Sequence, residues 1–149
     1  VAVNLTLASV ADGGFLSWLE EQLTVHHKQA SSLWLEVPEP LVFRHLDNFK
    51  RLCNRVKFHG AHVGMEHMGH QLAELGQLHD VGLDYLKVDA SFVRNLQDNP
   101  GNQTLLRTLC TLGHSIGVIM IAEGVESEAE WEALKEVGMD GATGPGISL

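Results

Sequence analysis

Short apolar runs in this chain end on, or beside, side chains able to bind a metal ion or a phosphate. These are Asn4, Glu36, Glu66 with His67, Lys87 with Asp89, Glu123, and Thr143. Carboxylate and amide oxygens are hard donors that suit Mg2+ or Mn2+, whereas imidazole favours Zn, Cu, Fe or Ni. Chemistry carried on the C-terminal ends of several different strands is the mark of a barrel, whose site is assembled from many strand ends.

The elements that must carry these residues are legible. Candidate strands are Val1–Thr6, Leu33–Val37, Ala61–Met65, Tyr85–Val88, Val118–Ala122 and a short run near Gly141–Thr143. They are rich in Val, Leu and Ile, as buried parallel strands are. Between them lie apolar stripes at helical spacing: Phe15, Leu16, Leu19 and Leu23; Val42, Leu46, Phe49, Cys53 and Val56; Leu105, Leu109, Leu112 and Ile116; Trp131, Leu134 and Val137. Asn99-Pro100 predicts an N-cap with a first-turn proline, Ser127 to Glu130 a capping box, and Gly138 a C-cap. The Trp and Phe stripes are read as core.

A βαβα order predicts an α/β fold with a parallel sheet. The choice lies between an open doubly wound sheet and a TIM-type (β/α)8 barrel. Neither the Gly-rich dinucleotide fingerprint nor a Walker A loop is present, and the strand-end residues favour the barrel. A complete barrel takes roughly 250 residues. The expectation is therefore one domain over residues 1–149, an N-terminally truncated portion with about six strands. On that barrel length, about a hundred further residues are expected upstream.

Composition narrows the partners. The chain has 149 residues, 44% hydrophobic and 19% charged, enough to bury a core. Ten Lys and Arg stand against 19 Asp and Glu, for a formal charge of -9. That argues against binding a DNA or RNA polymer, which needs a basic stripe. The apolar runs are too short to span a bilayer, and the opening residues do not read as a signal peptide. Cys53 and Cys110 fall in apolar helical contexts and are expected to be buried thiols in a reducing compartment. Of the nine histidines, His59, His62, His67 and His70 are the densest group; a zinc site among them is the weaker reading.

Two long motifs give a resemblance. Asp84-Tyr-Leu-Lys-Val-Asp-Ala-Ser-Phe-Val93 resembles the lysine strand of bacterial EAL domains, and Ile121-Ala-Glu-Gly-Val-Glu126 resembles their next glutamate strand. Val3-Asn-Leu-Thr6 and Leu35-Glu-Val-Pro-Glu39 are similar to the Asn-x-Ser and Glu-x-x-Glu strands. The resemblance covers essentially the whole chain. It implies a barrel that hydrolyses cyclic di-GMP with two divalent metals, Mg2+ or Mn2+. It implies Asn4 and Glu36 as ligands of a first metal, Glu123 as ligand of a second, and Lys87 as the residue ordering the attacking water. Glu39 would be the carboxylate that steadies the loop after the family's fourth strand. Asp89 and Glu126 would lie near the ligand and the metal shell, with Gly124, Thr143 and Gly144 beside the ligand.

The departures carry the functional expectation. The family's Asp-Asp-Phe-Gly stands here as Glu66-His-Met-Gly69, the Thr-Gly-Tyr-Ser-Ser loop as His70-Gln-Leu-Ala-Glu74, and the late Gln-Gly as Thr143-Gly144. Glu66 reaches roughly 1.5 Å further than Asp, and displacements of about 1 Å can cost about a hundredfold in rate. His67 removes a negative charge needed to hold two dications together. Glu66 and His67 are read as vestigial, paired with each other rather than with an ion. The pattern resembles inactive EAL domains that act as cyclic di-GMP receptors, above all the LapD type. That resemblance implies no required cofactor, a homodimer, and upstream GGDEF-type and membrane domains. It also implies a cytoplasmic domain of an inner-membrane bacterial protein controlling biofilm or adhesion. Two other readings stay open: an active metal-dependent phosphodiesterase with altered ligands, and an interaction module that binds no nucleotide.

Overall fold

The computed structural model of the chain describes residues 2–6, 9 and 12–147. Among them, β1 (Ala2–Asn4), β2 (Trp34–Pro38), β3 (His62–Met68), β4 (Tyr85–Val88), β5 (Ile119–Ala122) and β6 (Gly141–Ala142) form one sheet. The strands lie side by side in chain order, each parallel to the next. A doubly wound sheet reverses its order at a switch point; this one never does, and it is a six-stranded portion of a (β/α)8-type barrel. The helices are α1 (Gly13–Val25), α2 (Glu39–Arg44), α3 (Leu46–Phe58), α4 (Pro100–Ser115) and α5 (Glu128–Val137). None of the described helices is long and apolar enough to cross a membrane.

Strand alternation separates the two faces. Leu35, Val37, Val63, Met65, Leu86, Val88, Met120 and Ala122 are buried in the main apolar core. Burying such a side chain is worth roughly 1.5–3 kcal/mol. The alternate residues, among them Glu36, Gly64, Tyr85 and Lys87, occupy the opposite face.

Several expected boundaries shift. The first strand shortens to Ala2–Asn4, with Val1 outside the described residues. The second becomes Trp34–Pro38, the fifth Ile119–Ala122 and the sixth Gly141–Ala142. The third runs from His62 to Met68 instead of Ala61 to Met65, so Glu66 and His67 lie within a strand. The stripe from Val42 to Val56 is two helices, because His45 leaves helical geometry at φ -127 and ψ 49. On α4 the buried face is Leu106, Leu109, Cys110 and Gly113, while Leu112 is exposed. The helix is turned because Gly113 lies against Met120, whose sulfur would be 2.3 Å from any added Cβ. The aromatic residues are not uniformly core: Phe49 is fully buried, but Trp18 and Phe58 are 54% and 85% exposed.

The caps have simple causes. Asn99 accepts from Asn102 N ahead of Pro100, Ser127 Oγ accepts from Glu130 N, and Gly138 closes α5 at φ 100. The Glu130 carboxylate reaches back to Glu126 N instead of the cap residue itself, so only half of a capping box forms.

Below the sheet, one device occurs twice. Asp84, just before β4, donates its N–H to Val63 O and accepts from Val63 N at Oδ2 (2.8 Å). Lys57, in the last turn of α3, holds its other oxygen at 2.8 Å. Asp140, just before β6, donates to Met120 O and accepts from Met120 N (2.8 Å), with His114 of the last turn of α4 at 2.7 Å. Val63 and Met120 are each the second residue of their strand.

Cys53 and Cys110 are free and buried. Burial pushes the thiols up, to about 12 for Cys53 and about 11 for Cys110. Since the thiolate is the reactive form, both are expected to resist a disulfide-exchange reagent in the native protein and to react on addition of denaturant. Rapid native labelling of either would contradict their placement.

Candidate functional site

The polar residues meet at the C-terminal end of the sheet. Glu36 of β2 is buried, and its Oε1 accepts from the Tyr85 hydroxyl (3.0 Å) and pairs with Lys87 Nζ. Tyr85 and Lys87 are two apart on β4 and so share a face. The Tyr85 ring fits only because residue 64 is glycine: a Cβ there would lie 2.2 Å from two ring carbons. Burial, then the Glu36 charge, pushes the Tyr85 hydroxyl upward, so it stays a donor. Asn4 is in register with Glu36 on β1 and is exposed.

The end of β3 is irregular. Its register against β4 slips between Met65 and Met68, and His67 takes a left-handed conformation, φ 56. A bulge of this kind re-aims a side chain beside a site. Glu66 stays buried, while the His67 ring lies between two carboxylates that directly follow β4 and β5. Its Nδ1 is 3.4 Å from Asp89 Oδ2 and 3.3 Å from Glu123 Oε2. The expected mutual pairing of Glu66 and His67 is loose, with Nε2 3.9 Å from Glu66 Oε1.

Crowding sets the protonation of this rim. Burial raises the Glu66 carboxyl, opposed by His67 and reinforced by the Glu36 and Glu123 charges. Burial also raises Glu123, against the pull of His67 and Lys87. At Asp89 burial is outweighed by Ser91, whose N–H donates to Oδ1 (2.8 Å), and by the nearby His67 and His70; the carboxyl is held below its ordinary value.

The supporting residues hold the loops. Glu39, fully buried at the start of α2, accepts from Gly69 N (3.0 Å) and His70 N (3.2 Å). After β5, Gly124 has φ 71 and packs on Ala90. Arg94 Nη2 donates to Gly124 O (3.1 Å), while Nη1 donates to both oxygens of Glu130 (2.9 and 3.2 Å). Glu130 also accepts from Asn95 N and Glu126 N. Thr143 is exposed, and its backbone pairs with Ala122 O and Val125 N. Gly144, at φ 139, leaves no room for a Cβ, which would lie 2.3 Å from Val125 O.

Glu36, Glu66, His67, Lys87, Asp89 and Glu123 are thus brought together. Glu126 is not; it turns outward to Arg94 at 3.1 Å. The four close-spaced histidines separate. His62 stacks on Trp34 at the start of β3, His59 faces Glu20, His67 lies at the far end of that strand, and His70 packs on Phe92. Five residues of strand span about 17 Å, so they cannot share one zinc ion. Tyr85, Arg94 and Glu130 did not stand out in the sequence. The two-residue spacing from Lys87 could have flagged Tyr85; nothing local flags the pairing of Arg94 with Glu130.

The oxygens of Glu36, Glu66 and Glu123, with Asn4 alongside, are hard donors of the kind Mg2+ or Mn2+ takes, but among the described residues no three His, Cys, Asp or Glu side chains are arranged to hold a metal ion. The imidazole set between Asp89 and Glu123 is not a hard donor of that kind.

Sheet order and site together define a (β/α)8-type barrel domain with an acidic site at its strand ends. The match to the EAL domain model runs over residues 1–149, and the chain belongs to the EAL domain family, a domain of cyclic di-GMP signalling proteins. It is 26% identical over 144 residues to the bifunctional diguanylate cyclase/cyclic di-GMP phosphodiesterase MucR of Pseudomonas aeruginosa, covering 97% of this chain and 21% of that protein. Vibrio cholerae LapD (S helix-GGDEF-EAL, bound to c-di-GMP) superposes with TM-score 0.88 at 25% identity, over 96% of this chain and 35% of LapD. The Klebsiella pneumoniae BlrP1 manganese/cy-diGMP complex gives 0.84 at 26% identity, over 99% of this chain and 38% of BlrP1. The chain spans about 20% of the length of the curated relatives it matches.

Proposed function

We propose that residues 1–149 are part of a catalytically inactive EAL domain that serves as a cyclic di-GMP receptor in bacterial signalling. The observation that carries this reading is the seat of His67 between Asp89 and Glu123. Two-metal phosphodiesterases hold their ions about 3.5–4 Å apart and need carboxylates to neutralise them. Here Lys87 is paired with Glu36, and the pair of aspartates is replaced by Glu66 and His67. Recognition of a cyclic dinucleotide asks less: polar groups for the phosphates and an apolar surface for the bases. Asp89, Glu123, Gly124, Thr143 and Gly144 are assigned to the ligand; Asn4, Glu36, Glu66 and Glu123 are the candidate metal positions. We assign the domain to the cytoplasmic side of a membrane protein, as a homodimer with GGDEF-type and membrane segments upstream, acting in biofilm or adhesion control.

The test is calorimetric titration of cyclic di-GMP into the full-length protein with and without Mg2+, followed by chromatography of the nucleotide. Saturable heat with intact nucleotide recovered is the expected result. Linear dinucleotide would overturn inactivity and favour the altered-ligand phosphodiesterase, and no heat under either condition would favour the interaction module.

A further inference from the structure

The histidine at the end of β3 has a more specific consequence, which rests on the reading of these strand ends as the ligand site. Glu36, Glu66, Asp89 and Glu123 gather four carboxyl groups on one rim. Glu36 has Lys87. Asp89 and Glu123 come from different strands, and between them lies one ring nitrogen, 3.4 and 3.3 Å away. Both atoms that flank this Nδ1 are acceptors, so a hydrogen carried there faces a carboxylate on either side. Glu123 Oε2 is buried and has no aligned hydrogen bond. The His67 imidazole lies 3.3 Å from it.

We propose that His67 is a built-in counter-group that takes the place of a second divalent cation, closing the site to more than one such ion. Three observations support it. First, the ring sits where two carboxylates from adjacent strands converge, which is where a bridging cation would be held. Second, the bulge and the left-handed backbone at His67 aim the ring there. Left-handed geometry is uncommon for most residues but is adopted more readily by Asn, Asp and His, so the position suits a polar side chain, and the ring lies over the rim with 55% of its side chain still exposed. Third, the family's aspartate at this position would supply a further negative charge to the rim, whereas histidine supplies a donor and no charge of that sign.

The experiment uses the full-length protein, without nucleotide, and counts bound Mn2+ by electron paramagnetic resonance. The wild type is expected to bind no more than one Mn2+ per chain. His67→Asp should gain one further ion. His67→Asn, which shares the tolerance of left-handed backbone but lacks the carboxylate, should melt with the wild type and gain none. Two ions in the wild type, or no gain in a folded His67→Asp protein, would overturn the assignment. So would equal gain in His67→Asn, because the imidazole's bulk alone would then be what closes the site. Because no nucleotide is present, failure here is distinct from failure of the receptor reading.

Discussion

Glu130→Ala is expected to lower the stability of the protein by about 3 kcal/mol, the lower end of the cost of breaking a buried ion pair from one side. Glu130 is 2% exposed, and of its carboxylate's partners only Glu126 lies near it in sequence. It receives Arg94 on both oxygens, the N–H of Asn95 from the segment after β4, and the N–H of Glu126 from the segment after β5. Alanine would leave two backbone donors and a guanidinium without their acceptor, and each buried unsatisfied group carries its own penalty. The measurement is the denaturant midpoint. Glu130→Gln, which keeps shape and one acceptor oxygen, should fall between the two. The same contacts set a pH dependence. Burial alone would raise this carboxyl, but the Glu126 and Asn95 N–H groups and Arg94 outweigh it and hold it below 4.5. A carboxyl depressed in the folded state adds stability that is fully present above the unfolded value and lost as pH falls through the folded one. The wild type should therefore lose stability below about pH 4.5, and Glu130→Ala should lose less over that range. Equal acid sensitivity in the two proteins would contradict the role given to Glu130.

Gly64→Ala is expected to disturb both stability and the site. The added methyl would lie 2.2 Å from the Tyr85 ring, which is itself 3% exposed and has little room to retreat. Overpacking of this kind costs roughly 1–3 kcal/mol. The ring cannot shift without moving its hydroxyl from Glu36, and Lys87 then loses the carboxylate oriented toward it. The check pairs Gly64→Ala with Tyr85→Leu. The double variant should recover much of the stability, since the clash is gone, but not the ligand affinity, since Glu36 still lacks its hydroxyl donor. Coupling between such neighbours is the normal case. Additive losses would mean that the two residues do not meet as described.

Much of this architecture was legible because simple periodicities carry it. Tyr85–Val88 is the strand the sequence predicted, and the residues at the strand ends converge because a parallel sheet puts all of its C-terminal ends on one side. What escaped was tertiary. The bulge at His67 has no local signal, since bulges depend on the pairing partner. The helix stripe through Leu105 and Leu112 is a valid amphipathic pattern in isolation. Close approach at Gly113 selected the neighbouring face instead. The break at His45 fell inside a stripe whose spacing continued across it. Arg94 and Glu130 are 36 residues apart, and no one-dimensional rule joins a lysine-strand neighbour to a capping position.

The paired aspartates under the sheet bear on how such a domain can change over generations. Asp84 and Asp140 each tie a strand to the helix that precedes it, from the end remote from the site. Alignment of β3 with β4, and of β5 with β6, is thereby anchored without help from Glu66, His67, Asp89 or Glu123. Substitutions at the rim can accumulate with little penalty to folding, and a lineage can trade one chemistry for another there while the scaffold persists. The repeat unit behind this tolerance is an aspartate, a helix-end base and a strand amide, a modular hinge of evolvability that occurs twice in the chain.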